Sequence, residues 1–136
     1  MNKAIFTILV FIIVPITGDG PYKDGTYIGS SRAKYTNESY YGFAEIMVEN
    51  GKLIKVDFFV RDSSKHVDFN ETYEKYFAGN DEYIQQCRND WKGIQSYPDS
   101  LLKYQDLDQV DVISGATWSY DIFKASAQIA LSAAMK

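Results

Sequence analysis

Near the C-terminus, the run Asp111-Val112-Ile113-Ser114-Gly115-Ala116-Thr117, followed by Trp118 and Ser119, holds the residue types best suited to chemistry. A small-residue turn that opens onto a helix leaves unpaired backbone N–H groups and the positive end of the helix dipole at its start, a ready place for a phosphate. Gly115 lets the backbone come close to a ligand, and Ala116 avoids a clash. Thr117 brings a hydroxyl to the mouth of that anion site, and Ser114 brings another donor. Trp118 adjoins Thr117 and offers a flat face to an aromatic ring. Tyr27, Tyr41 and Tyr120 are further stacking candidates. Asp111 either orients the turn, or aids an enzyme that modifies it, or closes an Asx-type turn. The same residues also read as a plain helix start, with Ser119 as its cap and no ligand. Residue types alone leave both readings open.

Elsewhere, reactive residues are sparse. Cys87 is the single cysteine, so an internal disulfide framework is excluded, and with no CxxC partner it reads as a buried thiol in a helix. His66 has no second His or Cys nearby, which argues against a transition-metal site. No nucleophile–base pair is legible, so an autonomous enzyme is disfavoured.

The elements that must position the turn follow from periodicity. Thr26 to Ser30 is a short strand between glycines. Residues 43–49 and 52–60 alternate apolar and charged side chains about Asn50-Gly51, which predicts a hairpin with a type I′ turn. Ala44, Ile46 and Val48, then Ile54, Val56, Phe58 and Val60, are expected to face the core, with the opposite face meeting water. From Asn70 to Tyr104 apolar residues recur at three and four, with breaks expected at Gly79-Asn80 and at Tyr97-Pro98-Asp99-Ser100. Tyr120 to Met135 reads as an amphipathic helix whose small residues permit close approach to a sheet. Strands first and helices after predict an α+β fold: an antiparallel sheet with a central hairpin at about 43–60, packed by helices, and a helix over 120–135 following the turn.

Residues 1–18 combine Lys3, an apolar run from Ala4 to Val14 and a Pro15-Ile16-Thr17-Gly18 exit, the pattern of a signal peptide or of an uncleaved anchor. Residues 19–136 are then one domain, placed outside the cytoplasm and associated with a membrane at most through its N-terminus. Removing Lys3 and no acid would take the formal charge from −4 to −5. That balance, without any basic run, excludes a nucleic-acid surface.

Asp111-x-x-Ser114-Gly115-Ala116-Thr117 resembles the flavinylation motif of FMN-binding domain proteins, a family with members in the sodium-translocating NADH:quinone reductase and in the related electron-transport complex. Every fixed place of the motif is matched. The similarity extends to Asp24-Gly25-Thr26-Tyr27-Ile28-Gly29, to Tyr41-Gly42 and to the 48–54 hairpin segment, and so covers about residues 22–133. Residues 66–76 lack the Pro-Gly-rich loop of many relatives, and 70–104 are more helical and aromatic. The resemblance implies FMN joined through its phosphate to Thr117 by a separate FAD:protein FMN transferase. It also implies a carrier passing electrons between an envelope donor and a neighbouring acceptor. Two alternatives stand beside it. A non-covalent FMN binder or small flavin reductase would lose its flavin on denaturation. A cofactor-free binding module of the same fold would stay colourless.

Overall fold

The computed structural model describes residues 20–136, so the expected signal segment lies outside the described residues. Among the described residues, no helix is long and apolar enough to cross a membrane. The fold is α+β. Strands β1 (Gly25–Ser30), β2 (Tyr40–Glu49), β3 (Lys52–Asp62) and β4 (Val67–Asp68) form an antiparallel sheet in sequence order. Two helices, α1 (Asp81–Tyr104) and α2 (Thr117–Ala134), follow. They cover one sheet face, α2 over β1 and β2 and α1 over β3, and pack against each other.

The hairpin forms where expected, for the expected reason: Asn50 and Gly51 both take positive φ, 52° and 73°. Its alternation differs in one place. A bulge at Met47/Val48 pairs Val48 with Leu53 and Met47 with Lys55, so Leu53 turns into the core and Ile54 is left exposed. Gln105 seals this irregularity: its side-chain amide accepts from the Leu53 N–H at 2.8 Å and donates to the Leu53 carbonyl at 2.9 Å, as a strand neighbour would. The outer sheet face is also less polar than its charges suggest. Tyr41, Phe43 and Phe59 form a chain of ring contacts across it, and the Arg32 guanidinium lies 4.2 Å from the Tyr41 ring.

Asn80 caps α1 by accepting from the Tyr83 N–H, so the break at Gly79-Asn80 is real. The expected break at Tyr97-Pro98 is not: α1 runs unbroken to Tyr104. Proline costs the helix one hydrogen bond to the carbonyl four residues back. Here Ile94, Tyr97, Pro98 and Leu101 are all buried, and packing of that face outweighs the lost bond. The last helix begins at Thr117, three residues before its expected start. Phe123, Ala127, Ala130 and Ala134 form its buried stripe, and Phe123 meets Phe58 of the sheet at 5.0 Å between ring centres.

Candidate functional site

The turn expected to carry chemistry is a four-residue turn closed by the Ala116 N–H donating to the Ile113 carbonyl at 2.9 Å. Gly115 sits at its third position with φ +83°, a conformation glycine adopts without strain. A Cβ there would also lie 2.9 Å from the Asn89 amide nitrogen. Thr117 is the first helical residue and is exposed, as are Asp111, Ser114 and Gly115. Ala116 is the N-cap residue and supplies no side-chain bond. Ser114 and Asp111 make no side-chain hydrogen bond among the described residues, so no Asx turn forms at Asp111. The Thr117 and Trp118 amides, first on the helix, have no protein acceptor among the described residues.

Ser119 is not the cap. It is buried in the first turn, and the capping oxygen comes from another helix: Asp90 Oδ1 on α1 accepts from the Ser119 N–H at 3.1 Å and from the Ser119 hydroxyl at 2.9 Å. Asp90 is only 3% exposed. Gln86 Nε2 donates to Asp90 Oδ2 at 2.7 Å and to the Gly115 carbonyl at 2.9 Å. Tyr97 spans the turn, its hydroxyl donating to the Ala116 carbonyl at 2.8 Å and accepting from the Ile113 N–H at 3.0 Å. Burial pushes the Tyr97 phenol up, so it stays a donor. Gly93 completes this face of α1: a Cβ there would come within 2.9 Å of Ala116 Cβ and 2.7 Å of Ser119 Oγ. Gln86, Asp90, Gly93 and Tyr97 are thus one helical stripe that clamps the turn from behind.

Beside the turn, Trp118 and Tyr40 line two clefts. One, of about 290 Å³, is lined by Tyr40, Phe69, Tyr83, Gln86, Cys87, Asp90 and Trp118. The other, of about 200 Å³, is lined by Tyr35, Glu38, Tyr40, Trp118, Asp121 and Ile122. Together they approach the size of a small-molecule site, with aromatic walls and the carboxylates of Glu38, Asp90 and Asp121 at their edges. Tyr40 meets Trp118 edge-on at 5.3 Å and 88°, and Phe69 lies 5.2 Å from it.

No protein-family model and no curated protein matches this chain. A solved structure does. The crystal structure of the CPE2226 protein from Clostridium perfringens is 25% identical, with a TM-score of 0.54, covering 82% of this chain and 88% of that one. Its name states no activity, and the likeness is one of fold.

Of the residues singled out from sequence, Ser114, Gly115, Ala116, Thr117 and Trp118 stand together at the helix start, with Asp111 a few residues upstream. Tyr27, Tyr41 and Tyr120 do not line the clefts. Tyr27 bonds the Lys23 carbonyl, Tyr41 lies under Arg32, and Tyr120 bonds the Val110 carbonyl. Cys87 is buried, as expected, and burial raises its thiol. His66 is exposed in the turn before β4. Sequence reasoning missed Gln86, Asp90, Tyr97 and Tyr40. The i, i+4, i+7, i+11 spacing of the clamp is readable, but an expected break at Tyr97 cut the stripe short.

Proposed function

We propose that this chain is an exported flavoprotein domain that carries FMN on Thr117 and serves as an electron carrier in the cell envelope. The observation that carries the reading is the position of Thr117: an exposed hydroxyl on the first residue of α2, beside two free amides and a Trp118-walled cleft. A phosphodiester there keeps about one negative charge, which a helix N-terminus favours by about 0.3–1 kcal/mol. The Asp90 carboxylate already neutralises part of that helix end, so a free phosphate would be weakly held. This favours a covalent tether over the non-covalent alternative.

Attachment from FAD breaks the pyrophosphate bond, forms a bond from the FMN phosphorus to Thr117 Oγ and releases AMP with the hydroxyl proton. Bound FMN would supply the redox chemistry. The chain's own residues do the rest: Gln86, Asp90 and Tyr97 hold the turn rigid, and Trp118, Tyr40 and Phe69 wall the cleft where a flat ring is shielded from water.

Intact mass of the full chain, made with and without a co-expressed FAD:protein FMN transferase, tests this. A gain of one FMN less one water, surviving denaturation and lost in Thr117→Ala, is the expected outcome. Yellow protein that bleaches on unfolding would establish the non-covalent binder instead. Colourless, unmodified protein from a competent host would leave a binding module.

A further inference from the structure

A buried chain of hydrogen bonds ends at the cleft. Asp62, the last residue of β3, is fully buried. Its Oδ1 accepts from the Ser64 N–H at 2.9 Å, the Ser64 hydroxyl at 2.6 Å and the Lys65 N–H at 3.2 Å. Its Oδ2 accepts from the Tyr73 hydroxyl at 2.6 Å. Tyr73 Oη in turn lies 2.7 Å from Tyr40 Oη. Burial by itself would raise the Asp62 carboxyl, but the bonds from Ser64, Tyr73 and Lys65 outweigh it and hold the group below the usual carboxylate range. Burial, then the bonds to Asp62 and Tyr40, hold the Tyr73 phenol far above its ordinary value.

Proton counting gives the chain a direction. A carboxylate only accepts, so the single Tyr73 proton lies on the bond to Asp62. The Tyr73 oxygen is then left to accept, which commits the single Tyr40 proton to Tyr73. Tyr40 keeps lone pairs and no proton to offer, and it lines both clefts beside Trp118. Its ring is further held edge-on against Trp118. Tyr83 lines the first cleft as well and keeps its proton: burial first, then the neighbouring Tyr40, toward whose oxygen the Tyr83 hydroxyl donates, push its phenol up to about 12.

Resting on the FMN reading above, we propose that Tyr40 is a fixed hydrogen-bond acceptor that recognises the imide edge of a flat heteroaromatic ring, with Tyr73 and Asp62 as the positioning residues that orient it. Oxidised isoalloxazine carries one ring N–H, at N3, between two carbonyls. An acceptor on Tyr40 and a donor on Tyr83 match that edge, whereas a methyl group at N3 gives the Tyr40 oxygen nothing to accept and crowds it in a partly desolvated cleft.

The test is a fluorescence-quenching titration of the full chain, produced without the transferase, with lumiflavin and with 3-methyl-lumiflavin. Lumiflavin is expected to bind about tenfold more tightly. Tyr40→Phe should bring the ratio to near unity, and Tyr73→Phe should shrink it, because Tyr40 is then free to turn its proton toward the ligand. A change in fold would alter both affinities together and leave the ratio intact, and the two ligands on the unmutated chain need no variant at all. Equal affinities for the two rings would overturn the Tyr40 assignment while leaving FMN on Thr117 standing. Binding of neither would overturn the ring seat with it, and the mass of the Thr117 adduct would then decide the parent reading separately.

Discussion

At the scale of single residues, Asp90 is the one whose role depends most on its surroundings. A carboxylate 3% exposed is costly unless every oxygen is bonded, and here Ser119 and Gln86 bond both. It replaces the missing N-cap side chain at Ala116. Asp90→Ala removes a cap and leaves the Ser119 hydroxyl only the Ala116 carbonyl, at 3.1 Å, so we expect a loss of about 0.5–2 kcal/mol, read from urea denaturation. Asp90→Asn, which can still accept at one oxygen, should lose less. Equal stability of wild type and the alanine variant would mean that the Ser119 amide is satisfied by water. In the sequence, Asp90 is one of the eighteen acids of the chain and falls in a helical stretch. Nothing local marks it, because its partner is 29 residues away.

At the scale of elements, the two helices meet where the turn begins, and Gly93 sets how closely. A methyl group there would lie within 3 Å of Ser119 Oγ, the Tyr97 ring and Ala116 Cβ, and all three neighbours are buried. Gly93→Ala gains helix propensity of about 1 kcal/mol, yet overpacking of this kind costs about 1–3 kcal/mol. The expected net result is a lower thermal midpoint together with a lower yield of Thr117 adduct, since the clamp on the turn is what shifts. A stabilised variant with full adduct yield would show that the helices separate without disturbing the turn. Element identity was largely readable in advance. The hairpin follows from Asn50-Gly51 and alternation, and the break before α1 from Gly79-Asn80. Its continuation past Pro98 was not readable, because burial of that face outweighs a local breaker only once the sheet is in place.

At the scale of the whole molecule, acid should unfold the protein through Asp62. Its native carboxyl lies below the ordinary value, so in the acid range the unfolded chain binds the extra proton first. Stability is therefore fully present above the unfolded value of about 4 and is lost as pH falls through the native one. Asp24, exposed and held low by the Gly51 and Asn50 amides, and Glu74, half-buried and held low by Arg88, act in the same direction where solvent screens them. Urea midpoints measured from about pH 6 down to about pH 3 should fall for wild type. Asp62→Asn should start lower and converge on wild type at the acid end. Parallel curves would place the acid-sensitive group elsewhere.

Sequence by itself determined the α+β order, the type I′ hairpin, the break at Gly79-Asn80 and the small-residue turn leading into α2. Each is decided within a few residues, by φ preferences, side-chain alternation and the unpaired amides of a helix end. Only the tertiary structure decided that Leu53 rather than Ile54 faces the core, that α1 caps α2, and that Tyr40, Tyr73 and Asp62 form one directed chain. Tyr40 and Tyr73 are 33 residues apart. No local propensity encodes such a pair, because it exists only when β2, β3 and the turn at Tyr73–Phe77 have packed into one dry interior where each buried polar group must find a partner.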